Sequence, residues 1–148
     1  KDNHFFKLLM HVILIVLCCI LFIALIIFGM IYQRKMRLKR QEQHLKGEPK
    51  EALLYALSRM DALCEAENLE KISTAADAAA LQESFPTITQ EKLMWLQDLL
   101  QELTFSNHAY GTELRDETAQ LYRDMASDAT ARQSRLKRMW YRYGRCFC

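Results

Sequence analysis

Glycine and proline are scarce in this 148-residue chain, at four and two, so a turn-rich β fold and a disordered tail are both disfavoured. The five cysteines form no disulfide framework. Cys18 and Cys19 lie in an apolar run, Cys64 falls in a predicted helix, and Cys146 and Cys148 close the chain, a distribution that suits a reducing cytoplasm. No glycine-rich phosphate loop occurs, and no serine sits in a nucleophile elbow. His4, His11, His44 and His108 are scattered and none stands at zinc-ligand spacing from a cysteine or carboxylate. No catalytic, metal-binding or cofactor-binding residue is therefore expected, and the segment should not be an enzyme in itself.

What the chain does have is a run from Val12 to Tyr32, twenty-one residues without a charge or an amide, long enough to cross a bilayer as a helix. Arg34, Lys35, Arg37, Lys39 and Arg40 follow at once, whereas the other flank offers only Lys1 and Lys7 against Asp2. The positive-inside bias then places the amino end outside and the carboxyl end in the cytoplasm. A cleavable signal peptide would carry its basic residues before a shorter apolar core and a small-residue cleavage site after it, so a permanent single-pass anchor is the better reading. The chain opens on Lys1, which suits a fragment or processed product of a longer polypeptide.

Beyond the anchor, apolar periodicity predicts an all-α domain. The span should continue as a basic juxtamembrane helix through residues 34–47, stopped by Gly47 and Pro49. Pro49 opens a helix to about Asn68 with a stripe at Leu53, Leu57, Met60 and Cys64. Ser73 or Thr74 should cap a short helix from Ala75 to Glu83, and Thr87 or Thr89 the core helix from Gln90 to Phe105. From Thr112, inner positions Leu114, Thr118, Leu121, Met125, Ala129, Arg132, Leu136, Trp140 and Tyr143 keep a spacing near 3.6. They predict one unbroken C-terminal helix, a rod of about 45 Å whose far half projects or returns to the membrane. The resulting division is 1–33 for outer flank and span, 34–47 for the basic helix, and 48–148 for a small cytoplasmic bundle.

Charge is segregated. Residues 34–46 carry +5, residues 47–131 carry −10, and residues 132–148 carry +6 with no acidic side chain. An anionic inner leaflet attracts both basic ends and repels the middle. Arg34, Lys35, Arg37, Lys39 and Arg40 are candidate interface residues, and so are Arg138, Trp140, Arg142 and Arg145, where basic and aromatic side chains interleave. The partners expected are the lipid bilayer with its anionic inner-leaflet lipids, and other membrane or cytoplasmic proteins. No nucleic acid is expected beside a membrane tether.

One stretch, Ser73 to Gly111, joins a Ser73-Thr74 cap, Phe85-Pro86, a leucine-rich helix and the turn Phe105-Ser106-Asn107-His108-Ala109-Tyr110-Gly111. This order resembles the cytoplasmic C-terminal domain of unknown function that follows the last span of bacterial transglutaminase-like membrane proteins. The resemblance implies an extracellular papain-like domain upstream with a Cys, His and Asp triad that this chain lacks. It carries no catalytic residue over. The chain is then expected to be the membrane anchor and cytoplasmic interaction domain of a larger bacterial surface protein, the alternative being a free-standing single-pass subunit or adaptor of a membrane assembly.

Overall fold

A computed structural model describes residues 2–147 and contains, among them, helices and no strand. Six α-helices follow in order: α1 (Asp2–Leu45), α2 (Pro49–Ala66), α3 (Ala79–Ser84), α4 (Gln90–Phe105), α5 (Thr112–Ala131) and α6 (Arg135–Met139), the last running into a π-helical turn, Trp140–Arg145. The chain divides into two compact units, Lys1–Met36 and Arg37–Cys148. The division falls inside the basic segment, and Leu45 at the end of α1 is buried in the core of the second unit.

The first unit is helix α1 up to Met36. It is long and apolar enough to cross a membrane, and its large apolar side chains, Phe22 and Leu25 among them, all face outward. The second unit has its own core. Here α2 packs along α5 and against α4, and Leu53, Met60, Leu63, Phe85, Ile88, Leu96 and Met125 are sealed from solvent.

Local signals account for three of the helix ends. Pro49 takes the first turn of α2, where its missing N–H costs nothing, with Glu51 near the positive end of the helix. Asn68, at φ 57°, leaves the helical region and lets the Leu69 N–H close back on the Cys64 carbonyl at 2.9 Å. The Thr89 side chain caps α4 by accepting from the Lys92 N–H at 3.3 Å.

Two expectations are corrected. The helix predicted from Ala75 with a Ser73 or Thr74 cap begins only at Ala79. Its would-be first turn is held by tertiary bonds: Ser73 donates to Asp61, Gln97 donates to the Ile72 and Ala75 carbonyls at 2.9 and 2.8 Å, and the Ala78 N–H goes to Gln90. The long C-terminal rod is also broken. Helix α5 stops at Ala131, Ser134 caps a new start by accepting from the Lys137 N–H, and the face turned inward changes. Arg132, Leu136 and Trp140, expected inside, are exposed, while Tyr141 is fully buried.

Candidate functional site

The segment from Arg135 to Phe147 folds back as a hook against the rest of its unit, and its construction starts from unsatisfied carbonyls. A helix end leaves up to four C=O groups without partners, and here four residues near the chain end each find a side-chain donor from another helix. Arg37 of α1 donates to the Gly144 carbonyl at 3.2 Å and Gln41 to that of Cys146 at 2.7 Å. Arg59 of α2 reaches the Arg145 and Cys146 carbonyls at 3.1 and 3.2 Å, with its guanidinium 4.9 Å from the Phe147 ring centroid. Tyr122 of α5 donates to the Phe147 carbonyl at 3.2 Å.

Cys146 makes the reversal in the left-handed region at φ 52° and is buried. Beside it, the Phe147 ring meets that of Tyr141 edge-on at 5.4 Å.

The other anchor is Glu67, whose side chain is 10% exposed at the end of α2. Gln133 donates to both its oxygens at 2.9 and 3.1 Å, Lys137 lies 3.5 Å away, and the Tyr141 hydroxyl reaches both the carboxylate and the Ala66 carbonyl at 3.3 Å. Burial, reinforced by this carboxylate, pushes the Tyr141 phenol well above its ordinary range, so it stays a neutral donor. Burial, with Asp61 nearby, likewise pushes the Cys64 thiol up to about 12, as befits a core residue.

The candidate interface residues therefore divide. Arg138 caps α5, donating to the Thr130 and Gln133 carbonyls at 3.1 and 3.3 Å, and Arg37 serves Gly144. Lys39 and Arg40 are exposed on α1 within the second unit; Arg34 and Lys35 belong to the first. Trp140 and Arg145 stand on the outer side of the hook, the guanidinium 5.3 Å from the indole centroid, with Arg142 exposed near them. Gly144 makes room for that ring, since a Cβ there would come within 3.2 Å of it. Sequence reasoning passed over Gln41, Arg59, Glu67, Tyr122 and Tyr141, whose roles depend on distant backbone. It placed Leu136 on the inner face of a continuous helix and passed over Met139, and the two are 81% and 55% exposed. One signal was available: Ser134, a favoured N-cap type, sits where a restart is possible.

Two other features are local. Where α4 ends, Glu102 pairs with His108 at 2.6 Å, and the other ring nitrogen of His108 meets the Ser106 hydroxyl. The order of groups is that of a hydrolytic triad; the backbone N–H of His108 also donates to the Ser106 hydroxyl at 3.4 Å, and the Glu102–His108 pair is about half exposed. The Lys50 ammonium of α2 donates to the Ser106 carbonyl at 3.2 Å, so these contacts tie the loop after α4 to α2. Between α4 and α5 lies a groove lined by Glu91, Trp95, Glu117, Leu121 and Asp124. No protein-family model, curated protein or solved structure matches this chain.

Proposed function

We propose that this chain is the membrane anchor and cytoplasmic interaction domain of a larger bacterial surface protein of the transglutaminase-like kind, non-catalytic in itself. The observation that carries the reading is the join at the basic segment. An apolar helix with every large side chain outward passes, through five cations between Arg34 and Arg40, into a unit that buries its own core. The cation excess on that flank supports a single pass with the carboxyl end inside. The turn from Phe105 to Gly111, between two amphipathic helices, supports the family resemblance.

The test of orientation is cysteine labelling on intact cells, using Asn3→Cys and Ala109→Cys in a Cys148→Ser background. Both chosen positions are exposed, whereas Cys64 and Cys146 are buried. An impermeant maleimide should reach position 3 directly and position 109 only after lysis; the reverse pattern would overturn the orientation. Detection of the native protein in its own membranes should give a mass far above the 17.4 kDa of this chain, and a mass near that figure would favour a free-standing adaptor. The groove between α4 and α5 is the feature that supports the adaptor. Its three carboxylates around Trp95, against one cation, Lys92, suit a basic segment of a partner protein.

A further inference from the structure

The outer side of the hook combines two properties. Leu136, Met139 and Trp140 are 81%, 55% and 48% exposed, and they stand at the i, i+3 and i+4 positions that share one helix face. The stretch from Arg132 onward carries six basic side chains and no acidic one; Lys137 lies at Glu67 and Arg138 caps α5, while Arg132, Arg135, Arg142 and Arg145 are exposed. Apolar side chains in water have no reason to gather on one face unless something apolar meets it. Arginines surrounding such a face, with an indole at its edge, suit the boundary between headgroups and acyl chains.

Position supplies the second argument. The hook is tied to α1 by the Arg37–Gly144 bond, and Arg37 stands five residues after Tyr32, the last residue of the apolar run. Even fully extended, five residues span no more than about 18 Å. The Gly144 end of the hook is thereby joined, through Arg37, to a point of the chain no further than that from the end of the run. The geometry points to an anionic bilayer surface as the occupant of the face formed by Leu136, Met139 and Trp140, with Arg135, Arg142 and Arg145 on headgroup phosphates. Arg138 is left out because it caps α5. This inference rests on the single-pass reading, and it makes the hook a second, reversible contact between the chain and its membrane.

The experiment uses the full chain in nanodiscs with Trp95→Phe, which leaves Trp140 as the one tryptophan. Resistance to alkaline extraction from vesicles reports the span separately. If the chain washes out, the single-pass reading fails and the inference falls with it; if it stays, Trp140 decides. In discs of phosphatidylglycerol with brominated acyl chains, Trp140 should be blue-shifted and quenched, and in zwitterionic discs much less so. Each of Arg135→Gln and Arg142→Gln should lower the ratio of docked to undocked hook by about fivefold. Leu136→Glu with Met139→Glu should abolish quenching while leaving the helical signal unchanged. Trp140 emission at the water-exposed wavelength in anionic discs would overturn the inference. Equal quenching in both lipids would overturn the assignment to anionic headgroups.

Discussion

The two units of this chain use similar side chains against different surroundings. In α1, Leu21 and Phe22 are 64% and 65% exposed, and in the second unit Leu53 and Leu96 are completely buried. Hydrophobic side chains stabilise a fold only if folding takes them out of water, so the exposed apolar side chains of the first unit, unlike Leu45 further along α1, add nothing to tertiary stability. Burial in the second unit is internal. The sharpest way to break this contrast is to truncate one leucine in each. Leu96→Ala should cost about 3 kcal/mol of unfolding free energy through the cavity it leaves, whereas Leu21→Ala should leave the denaturation midpoint of the second unit unchanged. Equal losses in a urea titration, read by a probe in α4, would mean that the units do not hold separate cores.

A second difference is the response to alkali, because burial in the second unit holds the Cys64 thiol and the Tyr141 phenol in their neutral forms. The Cys64 thiol rises from its ordinary 9.0 to about 12, and the Tyr141 phenol rises above its ordinary 10.0. A folded-state pKa above the unfolded one gives stability that is complete below the unfolded pKa and is lost as pH climbs toward the folded value. Stability should be level up to about pH 9 and then fall by about 1.4 kcal/mol per pH unit as Cys64 ionises in the unfolded chain, more steeply once Tyr141 joins near pH 10. Cys64→Ala should remove the first part of the slope. An unchanged slope between pH 9 and 10 in that variant would show that the thiol does not carry it.

How far the fold was legible in the sequence depends on how local its causes are. Helix α4 was readable in its bounds and most of its face: Thr89 caps it, and of the periodic leucines Leu93, Leu96, Leu100 and Leu103 all but Leu100 are buried, with Leu99 buried beside them. The division of α1 was half readable. Hydropathy gives the apolar run, but nothing local says that Leu45 belongs to a core assembled from residues far along the chain. The break after Ala131 was not read, since Arg132, Leu136, Trp140 and Tyr143 continue a 3.6 spacing that a straight helix would satisfy equally well. What decides against the straight helix is the set of donors that Arg37, Gln41, Arg59 and Tyr122 present to four carbonyls, contacts separated by 25 to 107 positions. Of the site itself, the basic and aromatic composition was legible, while the choice of Leu136 and Met139 as its apolar edge had to wait for the change of helical face.

The smallest effect probes the latch that sets that face. Tyr141→Phe keeps the buried ring against Phe147 and removes only the hydroxyl shared between Glu67 and the Ala66 carbonyl. Stripping a buried carboxylate of its last donor is costly, but Glu67 keeps two hydrogen bonds from Gln133 and the Lys137 ammonium at 3.5 Å. The loss should therefore be about 1 kcal/mol, the net worth of one ordinary hydrogen bond. Hydrogen exchange should quicken at the Cys146 and Phe147 amides, which close on the Tyr141 carbonyl, before any change reaches α4. A loss of about 3 kcal/mol spread evenly over the unit would instead make the phenol the principal partner of Glu67. The hook would then be a full member of the core, not a latch laid over it.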